Sequence, residues 1–114
     1  MPYFSVIVPV YNRCDEVDDL LKSLAAQSCK DFEVMIVEDG STVPCGDVVK
    51  KYAGAIDVHY HYKANEGRSI ARNYGIERAS GDYFVFFDSD CVIPPDYFAT
   101  LRDALRRHYV PCFG

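Results

Sequence analysis

Four short apolar runs rich in β-branched and aromatic residues, each followed by a stretch with helical spacing, leave this chain few folds to choose from. The runs cover about Phe4 to Val10, Phe32 to Val37, Asp57 to Tyr62 and Tyr83 to Phe87. The first helix is expected from near Asp15 to Ala26, with Val17, Leu20, Leu21 and Leu24 on one stripe. A weaker helix around Gly46 to Tyr52 follows Thr42, Val43 and Pro44, and another runs from about Gly67 to Ala79 before Ser80 and Gly81. The last begins after Pro94 and Pro95 and carries Tyr97, Phe98, Leu101 and Leu105. Such an alternation predicts an α/β fold, a mostly parallel sheet with helices on both faces. The 114 residues read as a single domain, without repeats, low-complexity tracts or linkers.

The fourth run, FVFFDSD, reads as a strand covered on both faces that ends by delivering Asp88 and Asp90. Two like charges a few ångströms apart repel by about 4 kcal/mol at a surface-like dielectric, so the pair needs solvent or a cation. An oxygen-preferring ion, Mn²⁺ or Mg²⁺, would relieve it and could bridge to substrate phosphates. A solvated turn is the plainer alternative. The other strands also exit into polar residues: Tyr11, Asn12 and Arg13 after the first, and Glu38, Asp39, Gly40 and Ser41 after the second. Singly these have ordinary explanations, Asp39-Gly40 as a turn and Asn12 or Asp15 as a helix cap. In a parallel sheet, however, all three exits share the edge where ligands gather. The segment NEGRSIARN adds Arg68 and Arg72, four residues apart on one helix face near its positive end, where a diphosphate would be favoured. Ile70, Ala71, Tyr74 and Ile76 are expected on the buried side, and Glu66, Glu77 or Asp82 are alternative partners for the arginines.

Twelve basic against 17 acidic residues give a formal charge of -5, which argues against broad binding to nucleic acid. No stretch approaches the roughly 20 apolar residues of a membrane span, and SVIVPV lacks the basic leader of a signal peptide. The five cysteines, Cys14, Cys29, Cys45, Cys91 and Cys112, form neither a disulfide framework nor a CxxC site and suit a reducing cytosol. His59 and His61 alternate along VHYHY and share one strand face, but no further zinc ligands lie near them in sequence. Polar imidazoles on one side of an edge strand are the simpler reading. A receiver-type signalling domain is excluded because the third strand runs into Lys63, not into a phosphoacceptor aspartate.

Taken together, VIVPVYNR, VEDGS, ANEGRSIARNYGIERASGDYFVFFDSD and the following Pro95 and Asp96 resemble the nucleotide-sugar-binding half of a family-2 glycosyltransferase with the A-type, Rossmann-like fold. The likeness runs from Val6 to about Phe98, with the motifs in the family's order and spacing. It implies that Pro9 and Tyr11 wall a base pocket, that Asp39 binds the base, and that Arg72 approaches the nucleotide. Glu38 stands where many relatives carry a second aspartate and is implied to keep the pocket acidic. Asp88 and Asp90 would bind ribose and the metal-diphosphate, with Mn²⁺ or Mg²⁺ as cofactor. The implied reaction passes a sugar, from a UDP-sugar first of all, to a hydroxyl of a carbohydrate or glycolipid acceptor, with inversion. The resemblance also implies an acceptor half and a general base beyond Gly114, so the chain is expected to be the N-terminal part of a larger enzyme and inactive alone. A cytoplasmic location is expected, at the inner face of the membrane for the parent enzyme, and an orphaned half is expected to self-associate through exposed apolar surface. A non-catalytic nucleotide-binding module is the alternative.

Overall fold

A computed structural model describes residues 3–107. His108 and Cys112 lie outside the described residues. The elements are β1 (Phe4–Val10), α1 (Cys14–Ala25), β2 (Phe32–Asp39), α2 (Gly46–Lys50), β3 (Asp57–Lys63), α3 (Arg68–Arg78), β4 (Tyr83–Phe86) and α4 (Tyr97–Arg107). The sheet order is β3-β2-β1-β4 and every pairing is parallel. The expected α/β class is therefore what the chain adopts. β2 runs on through Glu38 and Asp39, which turns those two residues from loop positions into strand positions on opposite faces. No helix among the described residues is long and apolar enough to cross a membrane.

Register sorts the side chains into two unlike layers. Phe4, Val6, Val8 and Val10 of β1 align with Phe32, Val34, Ile36 and Glu38 of β2 on one face. Val17, Leu20, Leu21 and Leu24 of α1, with Phe98 and Leu105 of α4, close over that face as the main core. Each such aliphatic side chain contributes about 1.5–3 kcal/mol when removed from water. The Phe98 ring stacks on Phe32 at 4.6 Å between centroids. Gln27 fastens the end of α1 to the approach to α4, its Nε2 donating to the Pro94 carbonyl at 2.6 Å and its Oε1 accepting from the Phe98 amide at 3.3 Å.

The other face carries Ser5, Ile7 and Pro9 of β1 beside Glu33, Met35, Val37 and Asp39 of β2. α3 covers its middle, and does so through small residues. Its buried positions are Ala71 and Gly75, whereas Ile70, expected inside, is exposed. A Cβ on Gly75 would stand 2.9 Å from Ile7 Cγ2 and 3.3 Å from Val37 Cγ2, so the helix lies close because that side chain is missing. β4 ends the sheet order, and α3 packs on β1 and β2 and not squarely over it. The expectation that Phe84–Phe87 is covered on both faces is thus corrected: Val85 is fully buried but Phe84 is exposed.

Candidate functional site

Since every strand is parallel, β1, β2 and β4 deliver their polar exits to one edge. The exits are not used alike, and adjacent residues of β2 part company. Glu38 follows Phe32, Val34 and Ile36 in strand alternation and so enters the main core, where it is fully buried. Its carboxylate accepts from Ser41 Oγ at 2.5 Å, the Cys45 amide at 2.7 Å and the Tyr60 hydroxyl at 2.8 Å. Burial, and then the neighbouring Glu38 carboxylate, push both the Tyr60 phenol and the Cys45 thiol well above their ordinary values. Glu38 therefore does not reach the crevice, contrary to the expectation of a pocket-lining acid. It fixes the β2–α2 turn to β3, and the period of two in FEVMIVE was the signal for it.

Asp39 turns the opposite way. Its Oδ1 accepts from the Glu66 amide at 2.9 Å and its Oδ2 from the Gly67 amide at 3.0 Å, while Asn65 Nδ2 donates to its carbonyl at 3.0 Å. Lys63 Nζ sits 3.4 Å from Oδ1 and 2.9 Å from Glu66 Oε1. Asp39 thus holds the loop that leads into α3 and still lines the crevice. Gly40 makes the approach possible: it has φ +71°, and a Cβ there would come within 2.6 Å of the Asn65 amide nitrogen.

At the exit of β1, Tyr11 is 51% exposed. Asn12 adopts a positive φ of 52°, and its Oδ1 accepts from the Thr42 amide at 3.0 Å, the Thr42 hydroxyl at 3.2 Å and the Val43 amide at 3.3 Å. It is a joint between two loops and not the expected helix cap; Arg13 occupies that position without a side-chain bond.

Asp88 and Asp90 complete the edge. Asp88 Oδ1 lies 3.6 Å from Arg68 Nη1 and 4.0 Å from Arg72 Nη2, so both arginines face the D-x-D pair and not Glu66, Glu77 or Asp82. Arg72 Nε is buried and has no hydrogen-bond partner among the described residues. Pro9, Tyr11, Asp39, Arg68, Asp88 and Asp90 line one crevice of about 480 Å³. Arg72 opens instead onto an adjoining cavity of about 680 Å³ that shares Asp88. Arg13, one of the polar residues at the exit of β1, lines the crevice too, and so do Glu16 and Asn65, which were missed from sequence. Glu16 is placed there by Arg13 Nε at 3.3 Å and Ser89 Oγ at 3.1 Å, a convergence of separate segments with no local signature. The half-exposed oxygens of Asp88, with Asp90 beside it, are hard donors of the kind that Mn²⁺ or Mg²⁺ takes. A different donor group, Glu33, Asp57 and His59, occupies the opposite end of the sheet. It corrects the expectation that no ligands approach the VHYHY imidazoles.

An aromatic ring, a buried aspartate, two arginines and a D-x-D pair thus gather at the strand exits of a Rossmann-like sheet that has the A-type glycosyltransferase fold. The profile of glycosyl transferase family 2 matches residues 5–113, and the chain belongs to that family. It is 40% identical over 98 residues to the glycosyltransferase YibD of Escherichia coli K12, matching 85% of this chain and 28% of that protein. It is likewise 40% identical over 98 residues to glycosyltransferase GlyA of Streptococcus pneumoniae, covering 85% of this chain and 14% of the relative. Among solved structures, S. aureus TarS 1-349 in complex with UDP-GlcNAc superposes with a TM-score of 0.89 at 33% identity, over 96% of this chain and 32% of that one. A mannosyltransferase from Pyrobaculum calidifontis in complex with GDP-Man and Mn²⁺ superposes at 0.81 with 25% identity, over 96% and 33% of the two chains. The chain spans about a third or less of the length of these relatives.

Proposed function

We propose that this glycosyltransferase chain binds a UDP-sugar and forms the donor half of an inverting enzyme that passes the sugar to a hydroxyl of a carbohydrate or glycolipid in glycan synthesis. The observation that carries the reading is the meeting of Tyr11, Asp39, Asp88 and Asp90 in one crevice. The Tyr11 ring offers a flat apolar surface to a base. A carboxylate offers about four lone-pair sites, so Asp39, with two amides and a lysine around it, keeps capacity for the imide hydrogen of uracil. Arg68 and Arg72 rest on Asp88 and are placed to turn toward a diphosphate. The UDP-GlcNAc held by TarS and the GDP-Man and Mn²⁺ held by the mannosyltransferase support this class of donor.

Asp88 and Asp90 would hold Mn²⁺ or Mg²⁺, which when bound supplies positive charge for the leaving diphosphate without proton transfer. The two arginines add to that charge from the α3 side. On this reading the general base and acceptor surface come from sequence beyond Gly114, so the chain alone binds donor better than it turns donor over. The free thiols Cys14, Cys29, Cys45 and Cys91 support a cytoplasmic setting, with the parent enzyme at the inner membrane face. The β4 edge and exposed Phe84 support self-association of the isolated half. Calorimetric titration with UDP tests the assignment. Binding is expected to tighten with Mn²⁺; equal affinity in Mn²⁺ and in chelator, or an Asp90→Asn chain that behaves like the parent, removes the metal from the reading. Absence of UDP binding under every condition overturns the reading itself.

A further inference from the structure

At the end of the sheet away from the crevice, the pairing of β2 with β3 sets Glu33 opposite Asp57 and Met35 opposite His59. Glu33, Asp57 and His59 then share the α3 face of the sheet, although 24 positions separate the first two in sequence. His59 Nε2 lies 3.0 Å from Asp57 Oδ1 and 3.8 Å from Glu33 Oε1. Ligand atoms bound tetrahedrally at about 2.0–2.1 Å from zinc stand about 3.3 Å apart, so these two separations bracket the spacing that a shared ion requires. We propose that Glu33, Asp57 and His59 form a second divalent-metal site, independent of the D-x-D pair, whose one-nitrogen, two-oxygen donor set takes Zn²⁺.

The three donors differ in a way that suits such a site. Glu33 is the fixed anchor, with its side chain only 5% exposed. Its Oε2 accepts from Ser5 Oγ at 2.6 Å and from the Ser80 amide at 2.6 Å. Those bonds orient the carboxylate so that Oε1, shared with Ser80 Oγ at 3.1 Å, is the oxygen nearer His59. Burial opposes the charge on Glu33, but the bonds from Ser5 and Ser80 prevail and hold its pKa below the ordinary value. Asp57 and His59 are the open side, with side chains 60% and 46% exposed, which leaves room for water to complete a shell. Among the described residues neither carboxylate has a lysine or arginine within ion-pair distance, so no fixed cation already fills the place. His61, next on the same strand face, has a buried Nε2 with no partner among the described residues. His59 Nε2, by contrast, has both carboxylates of the site within 3.8 Å. An ion there would tie β2 to the edge strand β3.

The test follows the imidazole itself, because the chain's thiols also take zinc and a bulk titration would count them. The 114-residue chain, labelled with ¹⁵N-histidine and kept free of nucleotide, is titrated with Zn²⁺ while its ring nitrogens are observed by NMR. His59 Nε2 is expected to move to a metal-bound position by about one equivalent. Asp57→Asn, at an exposed position, and Glu33→Gln are each expected to weaken that response about tenfold or more, whereas Asp90→Asn leaves it in place. A His59 resonance that stays put through several equivalents overturns the proposal. So does one that follows zinc equally well in folded Asp57→Asn and Glu33→Gln chains. Neither result bears on UDP binding, which is measured separately.

Discussion

The two faces of this sheet put carboxylates to opposite uses. On the face closed by α1 and α4, Glu38 is the polar member of an otherwise apolar row and is saturated by donors from Ser41, Cys45 and Tyr60. On the face covered by α3, polar residues occupy both ends, with Ile7, Met35 and Val37 between them. There Asp39 and Asp88 meet loop amides, arginines and the open crevice. A carboxylate walled in on every side can only brace the fold, because any ligand would have to displace its partners. One whose partners leave lone pairs free at a cavity can exchange them for a ligand. The chemistry accordingly collects on the thinly covered face.

The sharpest way to break this contrast is Glu38→Ala, which strands the Ser41 hydroxyl, the Cys45 amide and the Tyr60 hydroxyl inside the core. A loss of about 3 kcal/mol or more is expected in urea unfolding, given about 1–3 kcal/mol for each buried group left unpaired. Glu38→Gln keeps the volume and is expected to retain the parent's UDP affinity; a selective loss of UDP binding in that folded variant would return Glu38 to the site.

Gly75→Ala probes the thin layer. With Ile7 Cγ2 at 2.9 Å from the new methyl, α3 must shift, at about 1–3 kcal/mol of stability. Thermal unfolding that matches the parent's would mean that α3 does not sit as closely as the structure places it.

Asp39→Ala is expected to cost about 1–3 kcal/mol of UDP affinity. It should also erase any preference of UDP over CDP, because the accepting group for the imide is gone. If the preference survives unchanged, Asp39 serves the loop alone.

The smallest effect is a pH dependence. The pKa of Glu33 lies below its ordinary 4.5, so the stability it confers is complete above about pH 4.5 and fades as pH falls through its folded value. Glu33→Gln should flatten that acid limb, measured by urea midpoints across the range. A variant whose acid limb is as steep as the parent's would assign the loss to other carboxylates.

Much of this was written locally in the chain. The alternation of apolar runs with amphipathic stretches fixed an α/β fold, because strand and helix periods are properties of neighbouring residues. Parallel strands in turn put Tyr11, Asp39 and Asp88 on one edge, which is why the crevice could be anticipated from the exits alone. Even the burial of Glu38 was legible in the alternation of FEVMIVE, once the strand is carried through to Asp39. What the tertiary structure alone decided depends on pairing and packing between distant segments. The exposure of Phe84 follows from where α3 lies, and the loop-holding role of Asn12 from the closeness of Thr42 and Val43. The grouping of Glu33 with Asp57 and His59 follows from the β2–β3 register, and Glu16 meets the crevice where the fold brings Ser89, in the segment after β4, to the first turn of α1. No local pattern encodes such meetings, since each is set by the one arrangement that buries the whole core at once.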